Sequence, residues 1–236
     1  IKVVISTVHR SSMLQQPLPL YKTADKTFDE FIGGRDQQAH EAVLQWANAD
    51  GPWFVLLWGS SGVGKSHLIQ AALRHVADSN QPMMYLPMKL LLEMGAEATR
   101  ELSNIAAIGI DDVDLAAANP DWEAALFSLF NGIHDNGGRL LIASTQNPRF
   151  TNYRLADLQS RLCSGLTYQL LDLDDAQKKK FLIAQAKRSN IALADNVAEY
   201  IVSRHGRNLH ELSALFERLD EAALQAGRTM TIPFIK

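Results

Sequence analysis

Apolar and polar positions follow two periods along this chain, and each change of period marks an element. Short, unbroken apolar runs stand at Trp53-Phe54-Val55-Leu56-Leu57-Trp58, Pro82-Met83-Met84-Tyr85-Leu86, Ile105-Ala106-Ala107-Ile108-Gly109-Ile110 and Leu140-Leu141-Ile142-Ala143-Ser144. They read as buried parallel strands, and Tyr168-Gln169-Leu170 reads as a fifth. Between these runs the apolar residues take a helical spacing. Leu68, Ile69, Ala72, Leu73 and Val76 trace one helical face behind Ser66. Asn119-Pro120 is a cap followed by a first-turn proline and predicts a helix to about His134. Thr27, with Glu30 three residues on, reads as a capping box opening a helix from Phe28 to Asn48. This alternation argues an α/β fold, a parallel sheet with helices on both faces, as far as about residue 172. Beyond Asp172 only helical period continues, over 175–189, 195–204 and 208–226, with a strand expected at Thr231-Ile232. The expected division is a flexible segment 1–26, an α/β domain 27–171 and a small all-helical domain 172–236.

Composition narrows the class. With 47% hydrophobic and 21% charged residues over 236 positions, the chain can bury a good core. A formal charge of −3 supplies no global attraction to nucleic acid or membrane. The single Cys163 leaves no internal disulfide framework and reads as a small buried residue. No apolar run approaches the roughly 20 residues that span a bilayer. Residues 1–12 lack an apolar stretch ahead of a small-residue cleavage site, so they do not read as a signal peptide. A soluble cytoplasmic protein is the expectation.

The chemistry starts where the first strand ends. Gly59-Ser60-Ser61-Gly62-Val63-Gly64-Lys65-Ser66 is a complete G-x-x-x-x-G-K-[ST] phosphate-binding loop in the strand–loop–helix setting that the motif needs. Its glycines let successive N–H groups turn toward one anion, and the helix N-terminus adds partial positive charge. Lys65 is expected on the β- and γ-phosphates and the Ser66 hydroxyl on Mg²⁺. His67 follows on the first helical turn and is placed with the nucleotide-binding residues. Asp111-Asp112 ends the third strand beside this loop, at the carboxyl edge where such sheets bind ligands. Asp111 is expected to hold Mg²⁺ through water and Asp112 to orient or polarise an attacking water. Read alone, with Asp114, the pair is a weak signal whose other reading is a solvated acidic turn; the phosphate loop favours the metal-site reading. Thr145, at the end of the fourth strand, lies beside the expected γ-phosphate position and is otherwise an ordinary turn residue.

The order of Thr27-Phe28-Asp29-Glu30-Phe31-Ile32, phosphate loop, Asp-Asp strand, polar fourth-strand end and helical lid resembles the AAA+ ATPases of the bacterial DnaA type. The resemblance is closer to the DnaA-related regulators of the Hda type than to the initiators, and runs from Gln15 to the ending Thr231-Ile232-Pro233-Phe234-Ile235. It implies an AAA+ core with a helical lid, binding ADP or another adenine nucleotide with Mg²⁺. Leu158-Gln159-Ser160-Arg161-Leu162 is similar to the segment carrying that family's arginine finger. Isolated, Arg161 reads as a solvated surface charge; the resemblance makes it a cation offered in trans to ATP on a partner, DnaA. Gln15-Gln16-Pro17-Leu18-Pro19-Leu20 resembles the peptide with which such regulators dock on the replicative sliding clamp, through Gln15, Leu18, Pro19 and Leu20. By composition alone it is a Pro/Gln linker, and Gln16 stands where the family usually has Leu. His210 falls where the lid's sensor arginine is expected, with Arg207 one turn earlier, and Thr145 stands where relatives often have Asp. A neutral imidazole lacks a guanidinium's fixed charge, so the chain's own ATP turnover is expected to be weak at most. The competing expectation is a self-contained AAA+ ATPase, such as a helicase loader or initiator fragment. A weak DNA contact through Arg149, Arg154 and Lys178-Lys179-Lys180, and self-association, stay open.

Overall fold

The structure, a computed structural model, describes residues 26–32, 36–205, 208–226, 228 and 230–235. Five parallel strands form one sheet: β1 Phe54–Trp58, β2 Met83–Pro87, β3 Ala107–Asp111, β4 Arg139–Ser144 and β5 Leu166–Gln169. Their order is β2-β3-β4-β1-β5, so β1 lies between β4 and β5, with Trp58 opposite Ser144 on one side and Gln169 on the other. That order puts the ends of β1, β3 and β4 side by side at one edge of the sheet.

Alternation along each strand splits the core in two. Val55 and Leu57 of β1 and Leu141 and Ala143 of β4 face α1 Gln37–Ala47 and α2 Lys65–Asp78, whose Val43, Trp46, Leu68, Ile69 and Leu73 are buried against them. Phe54, Leu56, Ile108, Ile110, Leu140 and Ile142 face the other way, toward α3 Met88–Met94, α4 Pro120–Asp135 and α5 Ala156–Leu162. At Gly109 a Cβ would collide with Ile69 and Leu73, so the missing side chain is what lets α2 lie directly on β3. Arg139, buried at the start of β4, donates to the carbonyls of Trp46 at 2.6 Å and Ala47 at 2.9 Å and so ties down the end of α1.

A separate helical unit follows: α6 Asp175–Arg188, α7 Asp195–His205, α8 Leu209–Ala226 and α9 Ile232–Ile235. Leu182, Ile201, Leu212 and Phe216 centre its own core. Asp174 and Gln177 form the capping box that starts α6.

Two expected elements are corrected. The helix expected over 28–48 is a short 3-10 turn, Phe28–Glu30, and then α1; Thr27 makes no side-chain cap. Gly33-Gly34 stand between the two in the sequence, the poorest helix formers after proline. The strand expected at Thr231-Ile232 is the single turn α9, with Pro233 in its first turn and the Thr231 carbonyl accepting from Phe234 and Ile235. No helix among the described residues is long and apolar enough to cross a membrane.

Candidate nucleotide site and helix α5

The loop between β1 and α2 is shaped by three glycines. Gly62 and Gly64 sit at φ 85° and 103°, a region that side chains disfavour, and a Cβ on Gly64 would lie 2.9 Å from the Phe31 ring. A Cβ on Gly59 would strike the Leu170 carbonyl oxygen, so the loop rests on the segment leaving β5. No side chain caps α2, which leaves its first N–H groups directed at the loop's concavity. Lys65 is 5% exposed, and its ammonium donates to the carbonyls of Gly59 at 2.7 Å and Ser60 at 2.9 Å. Burial lowers its pKa, against the pull of Asp112, Asp111, Asp114 and Asp172. Val63 is buried in the α2-side core, while Ser60, Ser61 and Ser66 are exposed.

The acidic strand end lies opposite. Asp111 is buried, its carboxylate accepting from the Tyr85 hydroxyl at 2.7 Å and from the Asp112 N–H at 3.1 Å. Asp112 takes a left-handed backbone at φ 55°. Burial raises its pKa, and the Asp111 and Asp114 carboxylates raise it further. A buried ammonium, an uncapped helix start and paired carboxylates fit a polyphosphate with a hard divalent cation: donors face the phosphate oxygens and oxygen ligands face the metal.

Other expected residues are brought together differently. Thr145 is clamped by Asp114, which accepts from its N–H at 2.9 Å and pairs with its hydroxyl. Asp114 therefore joins the ends of β3 and β4 and is no solvated turn residue. His67 turns its ring to the Thr27 carbonyl at 2.9 Å, and burial lowers its pKa. His210 is an exposed residue in the first turn of α8; its backbone N would lie 3.3 Å from a Cβ on Gly62, so the start of α8 covers the loop. Asn208 caps that helix, accepting from Glu211 N–H at 2.8 Å. Gln15, Leu18, Pro19, Leu20 and Arg207 lie outside the described residues. In the lysine run, Lys178 is buried and Lys179 pairs with Asp195 at 2.9 Å; only Lys180 is exposed and without a described partner.

Arg161 occupies the last turn of α5, exposed. Its guanidinium makes no hydrogen bond or ion pair with the described residues, those of its own phosphate loop included. Sequence reasoning missed Tyr85, Asp114 as a clamp, and Glu123. Glu123 has no exposed surface, and its carboxylate accepts from the N–H groups of Ala118 at 2.8 Å, Arg154 at 2.8 Å and Leu155 at 2.6 Å. Only Asp114 left a signal, its place two residues after Asp112.

Sheet order, phosphate loop, acidic strand end and a helical lid covering the loop together define a P-loop NTPase fold of the AAA+ class. Residues 23–169 match the bacterial DnaA ATPase domain and residues 175–236 the Hda lid domain. The chain belongs to the DnaA ATPase family and is an Hda-like, DnaA-related AAA+ protein. It is 32% identical over 223 residues to an uncharacterized protein of Haemophilus influenzae, covering 94% of this chain and 96% of that one. Domain III of the Thermotoga maritima replication initiation protein DnaA superposes with a TM-score of 0.82 at 22% identity, covering 90% of this chain and 94% of that one. The AMPPCP-bound DnaA of Aquifex aeolicus gives 0.70 at 21% identity, covering 84% and 65%.

Proposed function

We propose that this chain regulates chromosomal replication initiation by stimulating hydrolysis of ATP held by DnaA, which prevents re-initiation. In this reading it binds ADP, or another adenine nucleotide, with Mg²⁺ in its own loop and acts in the cytoplasm. Gln15, Leu18, Pro19 and Leu20 dock it on the sliding clamp. Arg161 then reaches the γ-phosphate on DnaA, where a guanidinium stabilises charge developing in the transition state. The observation that carries the reading is Arg161 itself, an exposed cation at a helix end with no described partner. Support for nucleotide binding comes from the Lys65 cradle and from a fold neighbour solved with AMPPCP. Weak turnover by this chain agrees with Thr145 being held by Asp114 and with His210 at the sensor position. An auxiliary DNA contact rests on the exposed Arg149, Arg154 and Phe150, which is 82% exposed, rather than on the largely engaged lysine run.

The second reading, a self-contained AAA+ ATPase, is favoured by the intact Lys65, Ser66, Asp111 and Asp112. One assay separates the two. DnaA–ATP and DNA-loaded clamp are mixed with each variant, and γ-phosphate release is followed. Under the regulator reading Arg161→Ala reduces release by about 10³-fold or more and Asp112→Asn does not; the reverse result establishes the chain as the hydrolysing enzyme. Clamp pull-down should be lost in the Gln15→Ala, Leu18→Ala, Leu20→Ala triple variant with the melting temperature unchanged, since the segment precedes the folded core.

A further inference from the structure

The finger helix cannot hold itself in place. α5 has only seven residues, about two turns, and its N-cap Leu155 offers no side-chain acceptor to the first N–H groups. Leu158 and Leu162 fasten one face to the core, which fixes the helix against the sheet but leaves its first N–H groups and the turn ahead of it to be held by other groups. Two polar groups supply the rest. From within α5, the Gln159 amide donates to the carbonyls of Pro148 at 2.9 Å, Thr151 at 3.2 Å and Arg149 at 3.3 Å, bracing the preceding turn. From α4, Glu123 reaches across and takes the N–H groups of Arg154 and Leu155, the two residues that lead into α5. Its first oxygen also takes the N–H of Ala118, so one carboxylate joins the starts of two helices. Nothing cationic faces it in these bonds, and every described partner is a backbone donor. Such a group sets geometry.

We infer that Glu123 is the positioning residue of the arginine finger, fixing the start of α5 so that Arg161 is presented in one orientation. The inference rests on the trans-finger role proposed for Arg161. A glutamine at 123 keeps the size but turns an NH₂ donor toward N–H groups that the carboxylate accepted, so at least one of the three loses its partner. The start of α5 then loosens while the sheet, the phosphate loop on its other side and the apolar face of α5 keep their packing. Because a finger acts through placement, small displacements are amplified in rate rather than in affinity.

The test uses the full chain, with γ-phosphate release from the partner's ATP measured against concentration of this chain. Glu123→Gln should lower the maximal stimulated rate by about tenfold to a hundredfold. The half-saturating concentration, the chain's own nucleotide affinity and cooperative unfolding should stay as in wild type. In the Arg161→Ala background the same change should cost nothing more, because there is no finger left to misplace. Amide exchange on the wild-type protein gives a readout that survives any folding failure of the variant: Arg154 and Leu155 should be protected, unlike the neighbouring exposed Asn152. Full stimulation by Glu123→Gln, a further loss added to Arg161→Ala, or unprotected amides at 154 and 155 would each overturn the positioning role. Normal stimulation by Arg161→Ala would instead remove the finger itself, and with it this inference.

Discussion

The phosphate loop and helix α5 are each under ten residues long and flank the same sheet, yet they are built in opposite ways. The loop is local: glycines at 59, 62 and 64 and the lysine at 65 make its shape and charge within eight consecutive positions. Helix α5 is assembled from a distance. The segment that leads into it is held by a carboxylate on α4, which bonds to a backbone 31 positions away, and by a side-chain amide gripping a turn in front of it. Binding a phosphate demands only that N–H groups converge. Offering a charge to another molecule demands that a rigid body aim it.

The two constructions should break separately. The largest effect expected under the proposed function falls on α5: Arg161→Ala should reduce stimulated hydrolysis by about 10³-fold or more while leaving the chain's own nucleotide affinity at the wild-type value. Parallel loss of both would show that the two regions are not independent. Next, Lys65→Ala removes the buried ammonium and should weaken adenine-nucleotide binding at least about tenfold, roughly 1.4 kcal/mol, in a calorimetric titration. Gly109→Ala attacks the loop from beneath, because the new methyl meets Ile69 and Leu73 of α2 on one face of the sheet only. Overpacking of this kind costs about 1–3 kcal/mol. Thermal melts should show the loss, and nucleotide affinity should fall while Arg161-dependent maximal stimulation persists, since α5 packs on the opposite face.

The smallest effect concerns the lid. Glu30 bonds Arg188 of α6 at 2.8 Å. Burial alone would raise the Glu30 carboxyl, but the hydrogen bond and charge of Arg188 hold it below its ordinary 4.5. A carboxyl lowered by folding adds stability above its unfolded value and loses it as pH falls through the folded one. Arg188→Ala should therefore cost about 0.5 kcal/mol at neutral pH, as befits a partly exposed pair, and progressively less as pH falls below the ordinary carboxyl range and through the lowered folded value. An equal cost across that range would assign the loss to packing.

What could be read in the sequence follows the same division. Strands β1 to β4 and helices α6 to α8 announce themselves by period, and the loop by its letters. The helix expected across Phe28 to Asn48 failed because apolar spacing was carried through Gly33-Gly34. In its place Phe31 stacks on His40 with ring centroids 5.8 Å apart and packs beside the loop glycine, contacts that no local pattern encodes. α3 went unread because Met88-Lys89-Leu90-Leu91-Leu92-Glu93-Met94 is too short and too evenly apolar to show a face. Glu123 was invisible for a different reason. An acid near the start of a helix looks like an ordinary partner for the helix dipole, and only the fold reveals that it answers to another segment. Tyr85 on Asp111 is the same kind of omission, a bond from the middle of β2 to the end of β3, 26 residues apart in sequence.

The phosphate loop also stands on the segment that leads into the lid: Gly59 abuts the Leu170 carbonyl, the Ser60 hydroxyl donates to Asp172 at 3.2 Å, and the start of α8 lies over Gly62. Cradle and lid thus share a mechanical joint, and thermodynamic reciprocity governs it. Whatever factor a bound phosphate applies to the tilt of the lid, a partner that tilts the lid must apply to the grip on phosphate.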